Sequence, residues 1–179
     1  MVARLLAAIA ALLCAIAPAR AQDAAWADVV AKARGQTVHW NAWAGDEKTN
    51  AFIAWVGDEV AKRHGVKVVH VKLKDTAEAV TRVVAEKAAG RDSGGSVDLV
   101  WINGANFLAL RQQKLLFGPY AERLPNWRYV DTAAKRSNLV DFTIPHEGYE
   151  SPWRMAQVVF VYDGKRVGTP PSSVAALLA

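Results

Sequence analysis

The chain has 179 residues, 52% of them hydrophobic, with 22 Lys and Arg against 17 Asp and Glu for a formal net charge of +5. That length suffices for one self-supporting core. The basic residues are scattered and form no block of the kind that tracks a nucleic-acid backbone, so no nucleic-acid partner is expected; one cysteine, Cys14, excludes an internal disulfide framework.

Residues 1–21 read as a secretory signal peptide. Arg4 supplies the positive start, Leu5 to Ala17 an apolar run, and Ala19-Arg20-Ala21 the small-x-small cleavage site. The run is shorter than the roughly 20 residues a membrane-spanning helix needs, and Leu13 before Cys14 is the wrong size for lipid attachment at that cysteine. Cleavage would remove Arg4, Arg20 and Cys14, leaving 20 basic against 17 acidic residues, a net charge of +3 and no thiol chemistry. The expected location is the periplasm. Seven tryptophans are the compositional oddity, and a binding cleft is as natural a place for some of them as a core.

From Gln22 a short helix is expected, with Trp26, Val29, Val30 and Ala33 on one stripe and Gly35 as its stop. Thr37 to Ala42 alternates as a strand, and Trp43-Ala44-Gly45-Asp46 forms the loop at its carboxyl end. A helix to about Arg63 presents Phe52, Val56 and Val60 at spacings of four, and Gly65 ends it. Val66 to Leu73 is a second strand. Asp75-Thr76-Ala77-Glu78 has capping-box spacing. The helix behind it is expected to bury Val80, Val83 and Val84, with Glu78–Arg82 and Arg82–Glu86 placed to pair on its outer side. Val97 to Ile102 is a nearly continuous apolar strand of the kind buried on both faces. Asn103-Gly104-Ala105-Asn106 leads into a helix carrying Leu108 and Leu115. The pattern loosens from Phe117 to Pro145, and Gln157 to Tyr162 reads as a last strand. Strands alternating with helices imply βαβ crossovers and a mostly parallel sheet, an α/β fold.

Several stretches resemble the extracellular solute-binding proteins of ABC transporters. They are Val38-His39-Trp40-Asn41-Ala42-Trp43-Ala44-Gly45-Asp46, Ala88-Ala89-Gly90-Arg91, and Val97-Asp98-Leu99-Val100-Trp101-Ile102-Asn103-Gly104. The resemblance is to a subgroup whose transported compound is unassigned. It implies a periplasmic-binding-protein-like lobe of type II, with a mostly parallel sheet flanked by helices. It also implies a small-molecule solute as ligand, a permease in the inner membrane as partner, and no cofactor. Ile144 to Asp163 resembles the segment that crosses to the second lobe, and Thr169-Pro170-Pro171-Ser172-Ser173 the loop opening that lobe. The expected organisation is a signal peptide at 1–21, a first α/β lobe at 22–149, and a crossing strand with the start of a second lobe at 150–179. Val174 to Ala179 reads as a helix barely begun, without a stop signal. On this reading the second lobe is missing and ligand capture is impaired.

Ligands of open α/β sheets sit beyond the carboxyl ends of the strands, which selects two loops. In the first, Gly45 allows close backbone approach, Trp43 either stacks on a ligand or packs on the lobe, and Asp46 either meets a ligand or caps the next helix. In the second, Asn103, Gly104 and Asn106 offer helix-start N–H groups and side-chain amides, with a plain cap at Asn103 as the alternative. The resemblance adds Ser151 and Trp153, beside Glu150 and Pro152, as residues lining the cleft near the hinge. Trp40, Trp55, Trp101 and Trp127 are expected to be structural.

Catalysis is not expected. His39, His64, His70 and His146 have no metal-ligand spacing, and neither a nucleophile elbow nor a phosphate-binding Gly-rich loop is present. Two other readings stay open: a non-functional or partner-binding secreted fragment, and a periplasmic enzyme on the same fold.

Overall fold

A computed structural model describes residues 25–154, 159 and 161–177. The expected signal peptide, Cys14 and half of the expected strand at 157–162 lie outside the described residues. Val159, Val161 and Tyr162, which are described, belong to no strand.

The chain enters through a helix over residues 25–33, α1. It is stopped at Gly35, whose φ of +82° suits a residue without Cβ and whose N–H donates to the Gly65 carbonyl at 2.8 Å. β1 (Thr37–Trp43) then runs parallel to β2 (Lys67–Leu73), in register from Thr37 opposite Lys67 to Trp43 opposite Leu73. β3 (Leu99–Val100) joins the other side of β1, giving the order β2-β1-β3, all parallel. Helices α2 (Glu47–His64) and α3 (Ala77–Ala88) make the two crossovers, and α4 (Gly104–Gln112) follows β3. Three 3-10 turns come next, then an antiparallel pair, β4 (Val140–Asp141) and β5 (Ile144–Pro145), and a four-residue helix, α5 (Val174–Leu177). The fold is α/β, a three-stranded parallel sheet flanked by helices.

The core is small and lies under the central strand. Ala42, Ile53, Leu73, Ala79, Phe107, Leu110 and Ala121 are buried, each large one among them contributing about 1.5–3 kcal/mol. Asn41, in the middle of β1, is fully buried as well. Its amide donates to the His39 and Ser96 carbonyls, and its Oδ1 accepts from Arg82 Nη1 at 3.1 Å. Arg82 therefore turns inward. The expected pairing of Arg82 with Glu78 and Glu86 on the outer side of α3 does not form, because a buried amide oxygen without a donor costs more than an exposed ion pair returns. Glu86 instead accepts from Ser96 and lies 3.7 Å from Arg91. Glu78 accepts from the Lys74 and Asp75 N–H groups, so its half of the capping box forms; the Asp75 carboxylate accepts from Ala77 rather than from Glu78, and Thr76 stands at the N-cap position without a side-chain cap bond.

Other expectations need correction. Only Leu99–Val100 of the stretch 97–102 is strand, and Leu99 is exposed, because β3 is the sheet's edge. The buried face of α2 is Thr49, Asn50 and Ile53 rather than one centred on Phe52, which is exposed. In α3 the buried residue is Ala79, with Val80, Val83 and Val84 only half-buried, and in α4 the buried residues are Phe107 and Leu110, with Leu108 only half-buried and Leu115 beyond the helix end.

Candidate functional site: an aromatic cleft beyond the strand ends

At the carboxyl end of β1 the chain must leave the sheet and enter α2 within three residues. Asp46 makes this possible. It is extended, and its carboxylate accepts from the N–H groups of Lys48 (3.4 Å) and Thr49 (3.0 Å) and from the Thr49 hydroxyl. These Thr49 bonds hold the Asp46 carboxyl below its usual value; partial burial opposes them, while the Lys48 N–H and nearby Arg154 lower it further. The capping alternative for Asp46 is thus the one observed. The Asn50 amide donates to the Ala44 carbonyl at 3.0 Å and fixes the turn.

Trp43 is the last residue of β1 rather than a loop residue, and its indole folds back over Gly45. A Cβ placed on Gly45 would lie 2.1 Å from Trp43 Cζ2. Glycine at 45 thus leaves the ring room to approach the backbone. Trp43 meets Trp101 edge to face, ring centres 6.2 Å apart. Trp101 meets Trp153 at 4.9 Å, and Trp153 in turn contacts Trp40 at 5.6 Å and stacks on Phe52 at 6.1 Å. Phe52 continues to Trp55 at 5.7 Å. Five of the seven tryptophans thus join one run of rings from α2 across the ends of β1 and β3. Trp101 had been expected inside a strand in a structural role; it lies one residue past β3 and faces the cleft. Trp43, Phe52, Trp55 and Trp153 remain 38–57% exposed, an apolar face of the kind that meets a ligand or another surface.

The cleft itself, of about 440 Å³, is lined by Trp43, Lys74, Asp75, Thr76, Trp101, Asn103 and Asn106. The Thr76 hydroxyl donates to the Trp101 carbonyl at 3.2 Å and positions that wall. Asn103 stands at the N-cap position of α4 without a side-chain cap bond, leaving its amide for the cleft. Gly104, at φ +56°, donates its N–H to the Asp141 carboxylate, with the Phe142 ring against its Cα. That N–H is therefore not available to an anionic ligand, contrary to the sequence expectation. Of the residues expected from the sequence, Trp43, Asn103 and Asn106 line the cleft; Gly45, Asp46, Gly104, the exposed Ser151 and Trp153 do not, and Trp153 reaches it only through its contact with Trp101.

Lys74, Asp75, Thr76 and Trp101 line the cleft although sequence reasoning did not select them, and two further unselected residues, Arg154 and Asp141, support residues around it. Arg154 follows Trp153, and its guanidinium lies 5.3 Å from the Trp101 ring centre and 5.6 Å from that of Trp153. Its Nη1 donates to Thr49 Oγ1 at 3.0 Å, linking residues 105 positions apart. Asp141 holds the start of α4, and it has Glu150 as a like-charged neighbour. Burial, with the Asp141 charge second, pushes the Glu150 carboxyl up to about 8. Burial also raises Asp141, against the opposing Gly104 N–H, and burial followed by the Glu150 charge raises Tyr120. Among the described residues no group of three or more His, Cys, Asp or Glu could hold a metal ion, and no helix is long and apolar enough to cross a membrane.

No family model matches the chain, and no solved structure matches it. Over 153 residues, 86% of its length, the chain is 44% identical to Protein YnjB of Escherichia coli (strain K12), and it spans 39% of that protein's length.

Proposed function

We propose that the chain is a solute-binding lobe of the periplasmic-binding-protein type, serving an ABC importer by capturing a small solute in the periplasm for delivery to an inner-membrane permease. Binding rather than chemistry is its activity. The observation that carries this reading is the aromatic cleft beyond the carboxyl ends of parallel strands, the place where open α/β sheets hold ligands. Trp153 and Arg154, which pack against the lining residue Trp101, come from the segment whose sequence resembles the crossing to a second lobe. In a two-lobed protein that segment is where closure around a ligand would hinge.

The test is a titration of the purified protein with a panel of small metabolites, followed by tryptophan fluorescence. A saturable change that is lost in Trp43→Ala supports the reading. Steady turnover of a solute without saturable binding would instead favour an enzyme on this fold.

A second reading has its own observation. Phe117 and Val161 are 83% and 92% exposed, and with the edge strand β3 they favour a chain that docks on a protein partner. Cross-linking that captures one stoichiometric partner, with no solute response in the panel, would select it.

A further inference from the structure

The sequence leaves the ligand's charge undecided, since tryptophan rings suit cations and helix starts suit anions. The structure bears on this in three ways. First, the faces of Trp101 and Trp153 already have a cation, because Arg154 lies over both rings. A ligand cation would have to displace a guanidinium that is also anchored on Thr49. Second, the carboxylates around the cleft are engaged by the fold. Asp46 caps α2, Asp75 accepts from Ala77 at the start of α3, and Asp141 accepts from Gly104 at the start of α4. Third, no carboxylate among the described residues forms a close ion pair with the two cations. Neither Lys74 nor Arg154 is among the ion pairs of the described residues, and Lys74 lines the cleft.

Resting on the solute-binding reading, we infer that the cleft takes a small planar anion: a ring carrying a carboxylate or phosphate, with the ring against Trp43 and Trp101 and the oxyanion drawn to Lys74 and Arg154. The division of labour follows from the geometry. Trp43, given room by Gly45, and Trp101, held by Thr76, offer edge-to-face walls for a flat ring. Arg154 is pre-ordered by two rings and a hydroxyl, so its remaining N–H groups can meet an oxyanion with little further loss of side-chain freedom. The amides of Asn103 and Asn106 add neutral donors on the α4 side.

The experiment follows the tryptophan indole N–H signals of the isotopically labelled protein, assigned by single Trp→Phe variants. The probes are phenyl phosphate, benzoate, phenyltrimethylammonium and inorganic phosphate. Phenyl phosphate or benzoate is expected to shift the Trp43 and Trp101 signals at lower concentration than either of the other two. Arg154→Gln and Lys74→Gln should each weaken that binding, Arg154→Gln by roughly tenfold. Added salt should weaken it too. Lys74→Gln alters an exposed side chain, so it stays informative if Arg154→Gln disturbs packing.

Tighter binding of phenyltrimethylammonium, lost in Trp43→Ala, overturns the anion inference and leaves the solute-binding reading standing. Equal binding of inorganic phosphate and phenyl phosphate also overturns the inference, since the rings would then contribute nothing. Silence of the Trp43 and Trp101 signals toward all four probes counts against both the inference and the reading it rests on.

Discussion

Replacing Gly45 by alanine tests the cleft at its tightest point. The added Cβ would sit 2.1, 2.6 and 2.8 Å from three atoms of the Trp43 indole, whereas carbon atoms rest at about 3.5–4.0 Å. The ring must therefore retreat by more than 1 Å, by roughly the difference between those values. Trp43 is 40% exposed, so it has somewhere to go, and the cost falls below the upper range of overpacking in a sealed core, about 1–3 kcal/mol. What is lost is the edge-to-face contact with Trp101, about 0.5–1.5 kcal/mol, together with part of the ring's burial. The expected destabilisation is about 1–2 kcal/mol. That corresponds to a fall in Tm of about 3–6 °C for a domain of this size. Urea unfolding gives the free energy, and near-ultraviolet circular dichroism reports whether the coupled tryptophan bands collapse. Glycine-to-alanine changes at compatible positions stabilise slightly through the unfolded chain. A variant with unchanged or raised stability and intact tryptophan bands would therefore show that Trp43 does not lie on Gly45, and the description of the cleft wall would be wrong.

Three further outcomes follow from the same geometry. Glu150, raised to about 8 from an ordinary 4.5, binds its proton more tightly folded than unfolded. Its contribution is therefore fully present below pH 4.5 and is lost as pH rises through about 8; solvent reaching this partly exposed group screens it to about 1–2 kcal/mol. Thermal melts should show Tm falling across that window, and Glu150→Gln should flatten the profile; an unchanged slope in the variant would remove Glu150 as its source. Arg82→Met leaves the buried Asn41 oxygen without its donor and should cost about 1–3 kcal/mol in urea unfolding. A loss within 0.5 kcal/mol or so would place Arg82 at the solvent surface instead. Trp153→Ala removes ring contacts with Trp40, Phe52 and Trp101, each about 0.5–1.5 kcal/mol. It should both destabilise and abolish the solute response in the fluorescence panel, while retained response would exclude residues 153–154 from the site.

The strands and helices were legible where local chemistry dictated them. The alternation at Thr37 to Ala42, the left-handed glycines at 35 and 65, the acidic cap at Asp46 and the reach of Glu78 back to the Asp75 N–H are short-range signals, and the structure follows each of them. Long-range pairings were not legible. Arg82 had two glutamates at helical spacing, and its inward turn depends on an amide 41 positions away. The Gly104 N–H looked free for a ligand because the carboxylate that takes it, Asp141, lies 37 positions downstream in a stretch with little periodicity. Trp101 was misread for a related reason. An apolar run reads as a strand to its end, while the pairing of β3 with β1 stops at Val100. Trp43 and Trp153, chosen as separate candidates, meet through that misread residue.

Trp101 is also the residue that joins the two halves of the proposed site. It touches Trp43 on the β1 side and Trp153 on the crossing side, and Arg154 lies over it. A ring at this position senses both walls, so movement of residues 151–154 cannot leave the Trp43 side unchanged while these contacts persist. A small ligand pressing on Trp43 and Trp101 would therefore bias the placement of Trp153 and Arg154, by as much as its affinity differs between the two placements. In a solute-binding lobe this coupling would give a route from an occupied cleft to the crossing segment. It needs no relay through the core, because Trp101 is both a wall of the cleft and the anchor of the segment.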